Sequence, residues 1–287
     1  MRRVVYGQKL YYHDPQNDDF THHSAPLNKK VDKDFRYEHR NIFFRAGSFL
    51  LYYLVAFPVL WVYCKLRYGV KVRGKKNLRA VKGGYVLYCN HTNVMDVAFT
   101  FVFATFPKRS LIVCSPNVVG MPGIRHIVKM LGALPVPGDL AALKQFMRMI
   151  DRKLAAGNAV VVMPEAHIWP YYTGVRDFPK TSFSYAAKNR VPAVPMSVTY
   201  RRPRGPFKAW MKPRVNITIG QPIPFDASRS AAENAQAMRD QTYQFMCENA
   251  RKDNVALYEY IQVDHPVETT AQIKQLRRKH SGKAENV

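Results

Sequence analysis

A run of apolar residues, Tyr85-Val-Leu-Tyr-Cys89, opens after Gly83-Gly84 and stops abruptly at Asn90-His91. Its length and residue types suit a buried strand. Beyond Asn90 the apolar positions Val94, Val97, Ala98 and Phe101 fall at the i, i+3, i+4 intervals of a helix. A strand that switches at once to a helix is the unit of α/β folds, and such folds place chemistry at the strand's end. This stretch therefore constrains the chain more than any other.

The alternation continues. Strands are predicted at 69–73, 110–115, 133–136, 159–163, 191–200 and 215–220, and helices at 96–106, 118–131, 140–155 and 185–188. In the 140–155 helix Leu143, Phe146, Met147 and Ile150 share one face, opposite Lys144, Arg148 and Arg152. The pattern predicts an α/β fold with a single mixed, mostly parallel sheet flanked by helices. Residues 229–262 are expected to be mostly helical and 270–287 a charged, frayed tail. No internal repeat and no glycine-rich phosphate loop is present.

Four segments are expected: a polar arm over 1–40, a membrane-associated apolar helix over 41–66, an α/β domain over 67–262 and a charged tail over 263–287. The arm lacks periodicity and is read as flexible or loosely docked. From Ala46 to Cys64 the chain runs for about 19 residues without a charge, about 28 Å as a helix. Three placements are open to it: lying in one leaflet, spanning the bilayer, or packing as a core helix. Pro58 and the interfacial residue types Tyr52, Tyr53, Trp61 and Tyr63 favour the first.

In 287 residues, 44 Lys+Arg against 20 Asp+Glu give a formal charge of +24, so an anionic partner is expected. An anionic membrane surface accounts for both the charge and the uncharged helix. Nucleic acid would explain only the charge, and no helix-turn-helix, RRM or zinc pattern accompanies it. Cys64, Cys89, Cys114 and Cys247 make no C-x-x-C and read as reduced thiols, so no metal site is expected.

His91 and Asp96 are the candidate catalytic pair. An imidazole titrates near neutrality, and a nearby carboxylate can fix its tautomer and stabilise the imidazolium. The pair forms a Ser-His-Asp triad without its serine, so the nucleophile would be a hydroxyl of the substrate. His13 and Asp18 repeat the spacing, but in a proline-containing polar segment with no strand before it, and are read as coincidence. Glu165, at the end of the 159–163 strand, is a candidate for orienting a substrate hydroxyl or for bonding a neighbouring backbone. His167 is a pocket-lining or structural histidine. Arg176 and Lys180 are candidates for gripping an anionic group, the alternative being solvated loop charge. Arg201, Arg202, Arg204, Lys208, Lys212 and Arg214, with Phe207 and Trp210 among them, form a candidate headgroup-contacting surface.

Taken in order, four blocks resemble the glycerolipid acyltransferase family, which includes the 1-acyl-glycerol-3-phosphate acyltransferases. They are Asn90-His91-x4-Asp96, Leu131-Gly132-Ala133-Leu134-Pro135-Val136, Met163-Pro164-Glu165-Ala166 and Val191-Pro192-Ala193-Val194-Pro195. The resemblance covers about residues 68 to 225. It implies that His91 deprotonates an acceptor hydroxyl, that Asp96 positions His91, and that Gly132 and Glu165 belong to the substrate-binding blocks. It also implies a coenzyme A or acyl carrier protein thioester as acyl donor, no bound cofactor, a lysophospholipid acceptor and a site facing the cytoplasm. Two departures stand out. The second block continues as Pro137-Gly138-Asp139 where the family has an arginine, and the third reads Glu165-Ala166-His167-Ile168 where the family has Glu-Gly-Thr-Arg. The family associates those arginines with the acceptor's phosphate, so a different lipid or sugar acceptor, or a non-catalytic lipid-binding protein on this fold, stays open.

Overall fold

The computed structural model describes residues 4–21, 31–37, 41–120, 123, 125–203, 213–252 and 255–280. Its centre is a seven-stranded sheet in the order β2 (Lys71–Arg73), β8 (Arg214–Ile219), β7 (Ala193–Arg201), β3 (Tyr85–Cys89), β6 (Ala159–Val162), β4 (Ser110–Cys114) and β5 (Ala133–Pro135). All neighbours pair in parallel except β7 and β8. The α/β expectation of a mixed, mostly parallel sheet is the architecture found.

Strand pleating divides the core between two faces. Tyr85, Leu87 and Cys89 of β3 point to a layer made by helix α1 (Ile42–Tyr68) and helix α2 (Asp96–Thr105). Val86 and Tyr88 point to the opposite layer, made by α3 (Leu140–Ala155), the short helix Ser184–Lys188 and α4 (Ala231–Ala250). Strands buried on both faces explain why β3 and β6 read as unbroken apolar runs.

Helix α1 is longer than its uncharged stretch. Asn41 caps it by accepting from the Phe43 and Phe44 amides, and Gly69 ends it at φ 52, in the left-handed region that glycine tolerates. A wider π turn over Leu51–Ala56 leads into Pro58, which has no amide proton for the regular ladder. Tyr52, Ala56, Cys64 and Tyr68 are buried, and the Tyr52 hydroxyl accepts from the Ser110 amide at 2.8 Å. The opposite face shows Phe43, Leu54, Val59 and Leu66 to the exterior, each at 59% or more of its full exposure. By length and composition α1 can cross a membrane, and only 17% of its most apolar window is buried in the protein.

Two expectations at the chain ends are corrected. The arm is not loosely docked: β1 (Val4–Tyr12) pairs in parallel with β9 (Val255–Gln262), and Leu10 and Phe20 are buried. Helix α4 stops at Ala250, and Val255–Gln262 is strand rather than the continuation of a helix. An alternating Tyr258, Tyr260 face, which packs on Trp169, carries that strand character. The charged tail contains α5 (Thr269–His280), whose Ile273 joins the same cluster. The basic surface expected around Arg204, Lys208 and Lys212 lies outside the described residues.

Candidate active site

β3 delivers His91 to the C-terminal edge of the sheet. Asn90 fixes the exit by spanning to β7: its Nδ2 donates to the Val198 carbonyl at 3.0 Å, and its Oδ1 accepts from the Val198 amide at 2.7 Å. The chain then turns through Thr92 and Asn93 into α2. Asp96 at the start of α2 accepts on one oxygen, Oδ2, from the Thr92 amide at 2.7 Å, from the Asn93 amide at 2.8 Å and from His91 Nδ1 at 3.2 Å. A carboxylate only accepts, so Nδ1 carries the proton and Nε2 is left with its lone pair.

The Asp96 side chain is fully buried and His91 keeps 12% of its exposure. Burial raises the Asp96 carboxyl above its ordinary value, against the opposing pull of His91 and the two amides. A positive charge arriving on the His91 ring relieves that burial, which is what a base needs from its orienting carboxylate. Cys89 is not a nucleophile here: burial, with Asp96 and Glu165 nearby, pushes its thiol well above the ordinary value.

The loop that follows β6 roofs the His91 turn. The Trp169 amide donates to the His91 carbonyl at 3.2 Å and the Tyr171 amide to the Thr92 carbonyl at 2.8 Å. Glu165 is buried beneath the loop. Burial raises its carboxyl to about 7, although Arg176 beside it and the His91 amide favour the charged form.

Arg176 is placed otherwise than a phosphate clamp requires. Its guanidinium donates to Glu165 Oε2 at 3.2 Å, to the Glu165 carbonyl at 3.0 Å, to the His167 carbonyl and to the Pro15 carbonyl at 3.2 Å, and it lies over the Trp169 ring. With its side chain 2% exposed, it holds the loop rather than a ligand. His167 faces the arm, its Nδ1 3.5 Å from Asp19 Oδ2. Burial would raise Asp19, but hydrogen bonds from His167 and Thr21 bring it down to about 2. Lys180 is exposed at the start of a short 3-10 turn, where its charge acts on Asp240 of α4. Gly132 sits at the other end of the sheet. It has φ 97, and a Cβ there would lie 2.4 Å from the Ser110 carbonyl oxygen, so its role is close packing.

Residues not singled out from sequence complete the surroundings. The Thr92 hydroxyl meets the Tyr200 hydroxyl at 2.7 Å, and the Tyr171 ring packs on Tyr200 at 5.1 Å between centroids. Burial raises the Tyr171 hydroxyl to about 12, with Arg67 of α1 and Asp96 acting on it in opposite senses. The Trp169-Pro-Tyr-Tyr172 run, in the loop that follows β6, was the available signal for this aromatic roof. Among the described residues no group of His, Cys, Asp and Glu could hold a metal ion.

Residues 69–199 match the model of the family described as Acyltransferase. No curated protein matches the chain. Among solved structures the fold is similar to that of the 1-acyl-sn-glycerophosphate (LPA) acyltransferase PlsC from Thermotoga maritima, with a TM-score of 0.54 and 20% identity over 73% of this chain and 87% of that one. The matched segment contains β3, β6, most of β7, His91 and Asp96.

Proposed function

We propose that this chain, whose residues 69–199 match the Acyltransferase family model, is a membrane-associated O-acyltransferase. It would move a fatty acyl group from acyl-CoA or acyl carrier protein to the hydroxyl of a lysophospholipid such as 1-acyl-glycerol-3-phosphate, in phospholipid biosynthesis. One observation carries the reading: His91, held through Nδ1 by Asp96, leaves Nε2 as acceptor at a strand end inside the matched segment.

The steps follow from that geometry. Nε2 takes the proton of the acceptor hydroxyl as its oxygen attacks the thioester carbonyl. The C–S bond then breaks, the imidazolium returns the proton to the leaving thiolate, and an ester remains. The acceptor itself is the nucleophile, so no side-chain serine or cysteine is required.

The acceptor's phosphate needs a cation, and Arg176 is committed elsewhere. We assign that role to Arg67, in the last turn of α1, whose charge acts on the Tyr171 hydroxyl. The exposed apolar face of α1 supports docking to a membrane, and the net charge of +24 an anionic one; on this reading the site faces the cytoplasm and the lipid acceptor enters from the bilayer.

Transfer of a radiolabelled acyl chain from each thioester to a panel of lyso-lipids, some phosphorylated and some not, tests the proposal. Transfer to a lysophospholipid that is lost in His91→Ala is expected. Turnover with no acceptor, while the lyso-lipid still binds, would leave a lipid-binding protein instead.

A further inference from the structure

Three stretches that are far apart in sequence meet around one side chain. Trp169, in the loop that roofs the His91 turn, is fully buried. Its ring stacks on Tyr260 of β9 with centroids 5.0 Å apart, meets Phe20 of the arm edge-on at 5.3 Å and lies 4.6 Å from the Tyr12 ring of β1. Ile273 of α5 joins the same cluster. A buried indole N–H needs an acceptor, and the Asp18 carbonyl supplies one at 2.8 Å. All these partners come from the two ends of the chain, outside the residues 69–199 that match the family model.

The two ends also tie each other down. β1 pairs with β9, and the Thr269 hydroxyl donates to the Asp19 carbonyl at 2.6 Å. The Tyr260 hydroxyl donates to the carbonyl of Pro170, the residue after Trp169, at 2.7 Å. Together the ends form a clasp closed on the roof loop.

The loop needs such support. Ala166 and Tyr171, on either side of Trp169, are L-residues at φ 63 and φ 56. Residues in that left-handed region persist only where their surroundings over-determine them. From the loop the hold passes to the site through the backbone: the Trp169 amide donates to the His91 carbonyl at 3.2 Å and the Tyr171 amide to the Thr92 carbonyl at 2.8 Å. Asn90 fixes the same turn from the β7 side. The backbone that presents the His91 ring to Asp96 is thus held by the sheet and by the roof.

We propose that Trp169 is a positioning residue for His91, and that the clasp formed by the two chain ends keeps Trp169 in place. Trp169 acts through His91 and needs no contact with substrate. A ring that drifts from Asp96 loses its fixed tautomer and its aim, and a misplacement of about 1 Å can cost on the order of 10²-fold in rate. That His91 is the base of acyl transfer rests on the function proposed above, whereas the hold of the clasp on His91 does not.

The test uses the full chain with Trp169→Ala, Trp169→Phe, Phe20→Ala and Ile273→Ala. Met246→Ala, in the layer made by α3 and α4, is a destabilised control away from the roof. Steady-state acyl transfer is one readout. The other is the rate at which diethyl pyrocarbonate modifies His91, followed by peptide mass spectrometry, which needs no substrate. Trp169→Ala should lower kcat by at least about tenfold and leave KM for thioester and acceptor within about twofold, because the base moves and the binding groups do not. It should also speed the modification of His91 by about threefold or more, because a loosened roof opens more often. Phe20→Ala and Ile273→Ala, one at each chain end, should shift both readouts in the same directions. Trp169→Phe keeps a ring in the cluster and should restore most of kcat. Met246→Ala should lower the unfolding temperature and leave both readouts unchanged. Unchanged kcat or unchanged His91 reactivity in Trp169→Ala, or an equal loss of kcat in Met246→Ala, would overturn the proposal. If thermal denaturation shows that Trp169→Ala is not folded, Phe20→Ala and Ile273→Ala decide by the same criteria. No acyl transfer by the wild type, with His91 reactivity still following the clasp, would overturn the reading of His91 as the base and retain its positioning by Trp169.

Discussion

Arg176 Nε lies 3.2 Å from Glu165 Oε2, with both side chains almost wholly out of water. The pair joins three parts of the chain that are distant in sequence. Glu165 lies three residues beyond β6, beneath the His91 turn, Arg176 closes the loop over it, and the Pro15 carbonyl brings in the arm. Removing Arg176 takes their donor from the Glu165 carboxyl and from the Glu165, His167 and Pro15 carbonyls, at a cost of about 3–5 kcal/mol. Arg176→Ala should therefore lower the unfolding free energy by about that amount. Arg176→Lys should be nearly as damaging, because an ammonium cannot reach the carboxylate and three carbonyls from one planar group. Chemical denaturation measures both, and a loss below about 1 kcal/mol in Arg176→Ala would show that the pair does not hold the loop.

The same burial predicts a pH dependence. Glu165 has a folded-state pKa of about 7, above the 4.5 of an ordinary glutamate, so the folded protein binds more protons than the unfolded chain between these values. Its contribution to stability is full below about 4.5 and is lost as pH rises through about 7. Asp96, also raised, adds a loss of the same sign beginning just above 3.8. Unfolding free energies measured from pH 4.5 to pH 7.5 should carry this falling component, and Glu165→Gln should flatten it. A slope unchanged in Glu165→Gln would assign the titration elsewhere.

His91 and His13 provide an internal control. Each precedes an aspartate by five positions, and in each pair the aspartate accepts backbone amides: Asp96 from Thr92 and Asn93, Asp18 from His13 at 2.7 Å and Asp14 at 3.0 Å. The difference lies in the ring. His91 Nδ1 turns to Asp96, whereas His13 Nδ1 meets the Val263 carbonyl at 3.1 Å. His91→Ala should lower acyl transfer at least about 10²-fold, and His13→Ala should leave it within about twofold. A comparable loss in both would mean that neither acts as the base.

How far the molecule could be read in advance follows the range of its interactions. The β3 to α2 switch, the buried strands and the His91, Asp96 pair are local patterns, and they are visible in a few consecutive residues. The pairing of β1 with β9 joins Val4 to Val255, and nothing within either segment announces so distant a partner. Arg176 shows the same limit at a single residue. A lone arginine in a loop reads as available charge until the Glu165 carboxylate and the carbonyls around it are in place. Gly132 and Lys180 were near the candidate blocks in sequence, yet the first packs at the opposite sheet edge and the second on the α4 side.

Ala166 shows a local departure with a measurable consequence. It occupies the position where the resembled block has glycine, it is exposed, and its φ is 63. An L-residue in the left-handed region costs about 1–2 kcal/mol, and glycine recovers this less about 0.5–1 kcal/mol of extra chain entropy in the unfolded state. Ala166→Gly should therefore stabilise the protein by up to about 1 kcal/mol, with acyl transfer retained. A destabilised Ala166→Gly would mean that the methyl group, not the backbone, is what this turn requires.

The last expectation concerns Arg67. If its charge holds the acceptor's phosphate beside Tyr171, Arg67→Gln should raise the KM for a phosphorylated acceptor about tenfold or more, since a charge-assisted hydrogen bond contributes about 1.5–3 kcal/mol. The KM for the thioester should stay the same, because the donor's reacting carbonyl approaches His91 and not α1. An acceptor without a phosphate should be used equally well by both enzymes. That contrast separates a lost ligand contact from a disturbed helix end, which would lower kcat with every acceptor. An equal rise in KM for phosphorylated and unphosphorylated acceptors would remove Arg67 from the site and favour an acceptor that carries no phosphate.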